Sequence, residues 1–235
     1  MSKTLLFLID SWSSMSGGIQ TVNRELCLSI AQLAGAAADR EIDVICIAKD
    51  CSPEDVDDAS RAGVVLRRAE SVRSSRADGR VLEMLFHSSL HTMLEVICVV
   101  GHSKFTGLAA QNVRAHHFPS AKLVTMYHMD VDETEGLKDA SEESASAAEY
   151  SHFLAEWESR FKLEFEIASR ADFVFAVGPR LMRSITSALA AETGRSPVVR
   201  ELLCGVDDAL EARRSVPERP TFLFIGCRPP KGKGS

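Results

Sequence analysis

Short apolar runs alternate along this chain with longer stretches in which apolar residues recur at helical spacing. The apolar runs, which predict strands, cover residues 4–9, 42–48, 64–66, 96–100, 122–126, 173–177 and 198–202. The stretches with helical spacing cover residues 20–33, 81–94, 106–116, 147–169 and 179–192. Several runs are continuously apolar, as is typical of strands buried on both faces of a parallel sheet. The alternation predicts βαβ units, and therefore an α/β fold with a Rossmann-like, doubly wound parallel sheet.

Two stretches interrupt this pattern and indicate how the chain is divided. Residues 130–148 are acidic and rich in serine and alanine, which predicts a long loop. Residues 207–220 are charged and contain two prolines, which predicts a linker. After the linker, the run TFLFIG predicts another strand. We therefore expect a domain over residues 1–206, a linker over 207–220, and the first strand and loop of a second domain over 221–235.

The composition narrows the classes of function. Of the 235 residues, 45% are hydrophobic, which is enough for a sizeable core. The formal net charge of −6 argues against a protein that binds nucleic acid or an anionic membrane through its overall charge. The cysteines form no C-x-x-C pair, and no apolar run suits a signal peptide or a membrane span. We expect a cytoplasmic protein with no transmembrane segment and no nucleic-acid partner.

Ligands of doubly wound sheets bind at the carboxyl ends of the strands, so the residues that follow each predicted strand are the candidates. Gly17 and Gly18 follow the first strand and precede a helix, whose N-terminus favours a phosphate. A simple tight turn is the alternative for this pair, and the absence of G-x-G-x-x-G argues against a dinucleotide-binding enzyme. His102 follows the strand at 96–100, where it can bond a sugar hydroxyl or a phosphate. The alternative is that His102 or Ser103 caps the next helix.

A cluster of polar residues follows the strand at 122–126. It contains His128, Asp130, Asp132 and Glu133. Histidine and carboxylate side chains are typical metal ligands, but their spacing here matches neither H-E-x-x-H nor a calcium-binding loop. We therefore interpret the cluster as a polar loop that faces a ligand, and we expect no metal site.

The predicted helix at 147–169 has two distinct faces. Aromatic residues recur along one face, which predicts a core or a domain contact rather than a cofactor site. These residues are Phe153, Trp157, Phe161 and Phe165. Glu156, Arg160 and Glu164 line another face, which predicts a solvated surface with i, i+4 ion pairs.

Three cations stand near the end of the chain, directly after the run TFLFIG. Arg228, Lys231 and Lys233 lie there among glycines and prolines. Cations on a loop that backbone amides line are suited to a diphosphate. A frayed basic tail is the alternative on composition alone.

The order of these motifs along the chain resembles the N-terminal half of retaining GT-B glycosyltransferases. The stretches that carry the resemblance are GGIQTVNREL, GHSKFTGLAA, VTMYHMD, ADFVFAVGPRLMRSI, LLCGVD and TFLFIGCRPPKGKG. The resemblance extends from Leu5 to Gly234. Among these enzymes, the chain most resembles the group that includes sucrose synthase, sucrose-phosphate synthase and bacterial sugar transferases.

This resemblance implies an enzyme that transfers a sugar from a nucleotide diphosphate sugar to an acceptor hydroxyl, with retention of the anomeric configuration. The nucleotide diphosphate sugar would be a co-substrate, and neither a metal nor another cofactor is expected. Gly17 and Gly18 would approach the donor diphosphate or a phosphorylated acceptor. His102 would contact the transferred sugar or the acceptor, and His128 and Asp130 would lie near the acceptor.

In the family that the chain resembles, a Gly-Arg and Lys-Gly signature holds the leaving diphosphate. The corresponding residues here are Gly226, Arg228, Lys233 and Gly234. Cys227 separates the glycine from the arginine, which are adjacent in the family, so Lys231 competes with Lys233 for the role of the lysine.

The resemblance also implies that the chain stops where the second domain begins. We therefore expect an acceptor-side domain that is inactive without the C-terminal domain of the same polypeptide. The alternative is a non-catalytic Rossmann-like module that binds a ligand or a partner, because a fold does not by itself imply a function.

Overall fold

The computed structural model describes residues 2–13, 17–36, 42–69, 95–130, 147–192 and 197–204. These ranges contain seven strands: β1 (Lys3–Ser11), β2 (Ile42–Asp50), β3 (Val64–Arg68), β4 (Glu95–His102), β5 (Lys122–Tyr127), β6 (Phe173–Val177) and β7 (Val198–Leu202). They also contain five helices: α1 (Gly18–Ala36), α2 (Pro53–Arg61), α3 (Ser103–His117), α4 (Ala147–Arg170) and α5 (Pro179–Glu192).

All described strands belong to one parallel sheet in the order β3-β2-β1-β4-β5-β6-β7. From β1 the chain moves outward to β2 and β3, and it then crosses back to β4 and continues to the other edge. This order has a topological switch point between β1 and β4, which is where doubly wound sheets bind ligands. The predicted fold class is confirmed.

Apolar side chains on successive strand positions point to opposite faces of the sheet and form two cores. Leu6, Leu8 and Ile45 belong to the core that α3, α4 and α5 cover. Phe7 and Cys46 belong to the other core, to which α1 and α2 contribute. Both faces of the sheet are therefore buried, which explains why the strands are continuously apolar in sequence.

Helix α2, which follows β2, was not predicted from the apolar pattern. Helix α2 begins after Ser52, whose side-chain oxygen accepts from the backbone N–H of Asp55 at 3.1 Å. The Asp55 carboxylate accepts in return from the backbone N–H of Ser52 at 2.9 Å. This capping box, with Pro53 in the first turn, is the sequence signal that marks the helix.

Helix α3 packs very closely because of two glycines. A Cβ atom on Gly101, near the end of β4, would lie 2.7 Å from the Cβ of Ala110. A Cβ atom on Gly107 would lie 2.6 Å from Cγ2 of Ile167 in α4. The glycines in the stretch VVGHSKFTGLAA therefore allow α3 to approach both the sheet and α4.

The solvated face predicted for α4 is wrong for two of its three residues. Glu156 is exposed, but the side chain of Glu164 is only 3% exposed and that of Arg160 is 14% exposed. These two side chains form an ion pair, with Nε of Arg160 3.2 Å from Oε1 of Glu164. The i, i+4 spacing of the pair was predicted correctly, whereas its burial follows from the packing of α4 against the rest of the protein.

Several predictions lie outside the described residues and stay predictions. They concern the helix at 81–94, most of the loop at 130–148, the linker at 207–220 and the strand in 221–235. Among the residues that the structure does describe, none of the helices has the length and apolar character needed to cross a membrane.

Candidate functional site

The carboxyl ends of β1, β4 and β5 meet on one edge of the sheet, beside the switch point. Gly17 lies between β1 and α1, Gly18 is the first residue of α1, and His102 is the last residue of β4. His128 and Asp130 follow β5 directly. The fold thus brings five of the sequence-predicted site residues to the same edge.

The two glycines have different surroundings. Gly17 has a φ of +144°, which L side chains rarely adopt, and a Cβ atom there would lie 2.9 Å from Oε1 of Gln20. Its carbonyl accepts from the backbone N–H of Thr21 at 3.1 Å and from the Thr21 hydroxyl at 2.9 Å. Gly17 therefore forms the turn that begins α1, which is the structural alternative considered for the pair.

Gly18 is exposed, and a Cβ atom built on it meets no atom of the described residues within 4 Å. It is the first residue of α1, and the first turn of this helix contains no acidic residue. The open space at Gly18 leaves the N-terminus of a helix accessible to an anion, as a phosphate site requires.

A partly buried polar contact joins the first turn of α1 to β1. The side-chain amide of Gln20 donates to both carboxylate oxygens of Asp10, at 2.9 and 3.1 Å. The same carboxylate accepts from the backbone N–H of Ser11 at 3.0 Å. Asp10 and Gln20 were not among the predicted site residues, yet they shape the turn that carries the glycines.

His102 lies at the centre of the site and is fully buried. Its Nε2 is 2.8 Å from Oδ1 of Asn23 in α1, and its Nδ1 is 2.8 Å from Nε2 of His128. The imidazole does not cap α3, because its side chain makes no capping hydrogen bond. Both ring nitrogens are thus occupied by protein partners.

These contacts determine where the protons reside in the two rings. The side-chain amide nitrogen of Asn23 faces Sγ of Cys46 at 3.6 Å, so its oxygen faces His102 and accepts from Nε2–H. In a neutral ring Nδ1 of His102 is then an acceptor, and Nε2–H of His128 donates to it. Nδ1 of His128 is left without a proton, and it is the acceptor at the end of the chain of hydrogen bonds.

Burial keeps both rings in this neutral form. It lowers the pKa of His102 well below the ordinary 6.5, and the neighbouring His128 lowers it further. Burial also lowers the pKa of His128 to about 4. At neutral pH the pair therefore carries no charge and presents an acceptor nitrogen on His128.

The backbone at the start of α3 is strained where it holds His102. Ser103 has a φ of +33°, and its hydroxyl donates to the carbonyl of Met126 at 2.9 Å. The hydroxyl of Thr106 accepts from the backbone N–H of His102 at 2.9 Å and donates to the carbonyl of Leu8 at 2.7 Å. These bonds link β1, β4 and β5 around the histidine. Strain of this kind concentrates at functional sites.

Asp130 faces a different part of the protein from His128. Its Oδ2 accepts from the hydroxyl of Ser184 in α5 at 2.6 Å, and the residue lines a cavity beside α4 and α5. His128 instead contacts His102. His128 and Asp130 therefore contact different parts of the protein, on either side of β5.

Three predicted site residues, Arg228, Lys231 and Lys233, lie outside the described residues. Asp132 and Glu133 of the polar loop also lie outside them. Within the ranges that the structure describes, no three His, Cys, Asp or Glu side chains are grouped so that they could hold a metal ion.

Asn23 is the most informative residue that sequence reasoning missed. The buried face of α1 contains Gln20, Asn23, Cys27 and Ala31. Two of these positions are polar although they lie on the stripe that packs against the sheet. A polar residue at a core position of an amphipathic helix is the signal that would have identified both Gln20 and Asn23.

Two solved structures are similar to the chain at a low level. One is a UDP-glucosyltransferase from Polygonum tinctorium, capable of glucosylating indoxyl, in complex with 3,4-dichloroaniline, with 12% identity and a TM-score of 0.44, covering 94% of this chain and 55% of the other. The other is Phytolacca americana UGT2 complexed with UDP-2-fluoro-glucose and pterostilbene, with 12% identity and a TM-score of 0.45, covering 89% of this chain and 56% of the other. The chain spans about half the length of each.

A comparison with curated protein sequences finds no match. The sequence profile of a family described as "Family 4 Glycosyltransferase in conflict systems" matches residues 6–233, which is nearly the whole chain. The resemblance to glycosyltransferases is therefore confirmed at the level of the family. The closer likeness to the sucrose synthase group stays a prediction. On this match and on the Rossmann-like sheet, the chain belongs to the family 4 glycosyltransferases in conflict systems.

Proposed function

We propose that this domain is the acceptor-side part of a glycosyltransferase that moves a sugar from a nucleotide diphosphate sugar to an acceptor hydroxyl, with retention. The observation that carries the proposal is the neutral chain of Asn23, His102 and His128 at the switch point. A neutral imidazole with an acceptor nitrogen suits a hydroxyl ligand, because it accepts the hydroxyl hydrogen without adding charge.

In this proposal His128 receives the acceptor, and His102 positions it. Nδ1 of His128 accepts a hydrogen bond from the acceptor hydroxyl and so directs its oxygen towards the sugar. His102 is fully buried, so it acts through His128 rather than by contact with the substrate. This refines the roles expected from the sequence, in which His102 contacted the sugar or the acceptor.

The donor diphosphate lies, in the same proposal, beside Gly18 at the N-terminus of α1. Arg228 and either Lys231 or Lys233 supply the positive charge that stabilises the leaving diphosphate. Preorganised donors aimed at developing charge are usually the largest contribution to catalysis of this kind. No metal and no cofactor other than the nucleotide sugar is part of the proposal.

The experiment is a transfer assay on the native full-length protein. A panel of UDP-, GDP-, ADP- and dTDP-sugars is offered with hydroxylated acceptors, and the released nucleoside diphosphate is measured. With the nucleotide sugar and acceptor that react, His128→Ala lowers kcat by about 100-fold, because the acceptor oxygen is no longer held in position. His116→Ala, at an exposed position of α3, is the matched control and keeps normal turnover.

Replacing His102 tests its proposed role in positioning His128. His102→Ala also lowers turnover sharply, and the anomeric configuration of the product, read by NMR, reports retention or inversion. Wild-type turnover in both histidine variants would remove the pair from the reaction. Turnover of no nucleotide sugar at all, with a well-folded protein, would favour the non-catalytic binding module.

A further inference from the structure

A cavity of about 140 Å³ lies between α4, α5 and the carboxyl end of β5. Three aromatic rings, two carboxyl groups and a hydroxyl contribute to its wall: Tyr127, Phe161, Phe165, Asp130, Glu164 and Ser184. The glycosyltransferase chemistry proposed above uses none of these residues, although the family resemblance implied a place near the acceptor for Asp130.

The size of the cavity suits one ring. An engineered cavity of about 150 Å³ lined by apolar side chains holds a single benzene molecule. A cavity of about 140 Å³ is therefore large enough for one six-membered ring.

The carboxyl groups make the cavity a place for hydrogen-bond donors. Glu164 is only 3% exposed and lines the cavity. Its Oε1 accepts from Nε of Arg160 at 3.2 Å, which uses one of the roughly four acceptor positions of a carboxylate. Asp130, held by the Ser184 hydroxyl, provides the second carboxylate. Hydroxyl groups on a ring would satisfy both.

The charges around the cavity favour a neutral occupant. Burial raises the pKa of Glu164, and the positive charges of Arg160 and Lys104 act in the opposite direction. Among the described residues, these two cations match the two carboxylates of Glu164 and Asp130 in number. An ammonium or a phosphate on the ligand would therefore add an unbalanced charge to this group of side chains.

The aromatic side chains provide the apolar part of the wall. The rings of Phe161 and Phe165 lie nearly parallel, with centroids 6.5 Å apart and an interplanar angle of 13°. A small set of polar groups within an aromatic lining is typical of pockets for small molecules, in which the polar groups fix the orientation of the ligand.

We propose that this cavity is a subsite for one neutral, hydroxylated six-membered ring of the acceptor, distinct from the part whose hydroxyl His128 receives, with its hydroxyls on Asp130 and Glu164 and its apolar edge on the aromatic rings. Naming the ring as part of the acceptor rests on the proposed glycosyl transfer. Binding of the ring itself requires neither the donor nor the reaction.

The test measures binding of D-glucose and myo-inositol to the full chain, without nucleotide, by protein-observed NMR titration. Both probes bind the wild-type protein and shift the signals of residues around the cavity. Ala188→Leu places a larger side chain on the cavity wall and weakens binding at least tenfold. Ala190→Leu, at an exposed position of the same helix, leaves the affinity unchanged.

A second variant guards against misfolding of the first. Glu164→Gln keeps the size of the side chain but removes its charge and half of its acceptor capacity, and it weakens binding several-fold. No binding of either probe to the wild-type protein overturns the proposal, as does equal binding by Ala188→Leu. Tighter binding of phenol or of glucosamine than of D-glucose overturns it as well, because the cavity would then select an apolar ring or an amine.

The outcomes distinguish this proposal from the proposed function. If the probes bind at the cavity but no nucleotide sugar is turned over, the ring site stands and the transfer reaction fails. If transfer occurs and Ala188→Leu leaves the KM for the acceptor unchanged, the reaction stands and the cavity is not an acceptor subsite.

Discussion

At the scale of single residues, the chemistry of the site depends on which ring nitrogen of each histidine carries a proton. Asn23 decides this for both rings, because its amide oxygen can only accept from Nε2 of His102. Nδ1 of His102 is then an acceptor. Nε2 of His128 lies 2.8 Å from it and must therefore carry the proton of the His128 ring. An asparagine on a helix thus sets the hydrogen-bonding character of a histidine that it does not touch.

The lowered pKa of His128 predicts a pH-dependent stability. In the unfolded chain a histidine binds a proton near pH 6.5, whereas in the folded protein His128 does so only near pH 4. The free energy of unfolding therefore falls as the pH drops from 6.5 towards 4. Between pH 7 and pH 5 we expect the wild-type protein to lose about 2 kcal/mol more than His128→Gln, measured by urea unfolding.

Asn23→Asp tests the cause of that dependence. A carboxylate in place of the amide would favour the charged form of His102 and raise the pKa of the pair. The loss of stability between pH 7 and pH 5 then becomes smaller than in the wild-type protein. Asn112→Asp, on α3, is the control that keeps the wild-type dependence. Identical pH profiles for wild type, His128→Gln and Asn23→Asp would show that the buried pair does not control acid stability.

At the scale of elements, the position of α3 depends on close contacts that only glycine allows. Thr106 and Ser103 bond the start of this helix to β1 and β5, and Gly107 lies against Ile167 of α4. The same contacts hold His102 in place, because it is the residue directly before α3. The packing of α3 therefore also determines the position of His102 in the site.

A pair of glycine substitutions in helices tests this packing. Gly107→Ala would place a Cβ 2.6 Å from Cγ2 of the buried Ile167, and we expect it to lower the free energy of unfolding by about 1–3 kcal/mol. The added Cβ of Gly35→Ala in α1 meets no atom within 4 Å in the part of the chain that the structure describes, and we expect a gain of about 0.5–1 kcal/mol from helix propensity. Denaturant unfolding of both variants measures the difference. A gain in both would mean that α3 and α4 are farther apart than the contact distance indicates.

At the scale of the whole molecule, the strand order concentrates polar groups at one place in an otherwise apolar sheet. The neighbours of β1 are β2 on one side and β4 on the other, so the segments after β1 and β4 leave the sheet edge in different directions. The crevice between them contains the glycine turn and the histidine pair. This position is the reason that we place the donor diphosphate at Gly18.

Gly18→Val tests the diphosphate site with inorganic pyrophosphate as the probe. The added side chain projects into the open space at the N-terminus of α1, and we expect it to weaken binding at least tenfold by blocking approach to the backbone. Gly35→Val, near the other end of the same helix, controls for the change in helix propensity from glycine to valine. Isothermal titration calorimetry on the full chain gives the affinities. Equal affinity in wild type and Gly18→Val would leave the glycine pair with a turn-forming role only.

Much of the fold could be predicted from the sequence because it depends on local composition. All seven described strands coincide with predicted apolar runs, and β6 and β7 match at both ends. Helix α2 was missed because only one of its residues, Ala59, is buried, so it lacks the apolar stripe that marks the other helices. Its capping box was a local signal of a different kind.

The candidate site was predictable only in part, for a related reason. His102, His128 and the glycines were identified because they follow strands, and strand ends can be read from the sequence. One of the two partners of His102 is Asn23, which lies 79 positions away, and the burial of Glu164 depends on how α4 packs. Residue spacing along the chain indicates neither the contact of His102 with Asn23 nor the burial of Glu164.

The sequence by itself therefore determined the class of fold, the order of its elements and the residues at the strand ends, because apolar periodicity and turn residues act over short distances. Only the tertiary structure decided which polar side chains meet, which of them lose contact with water, and that Asp130 and His128 face apart. Hydrogen bonding and desolvation depend on neighbours in space, and these are brought together by the crossing of the chain at the switch point.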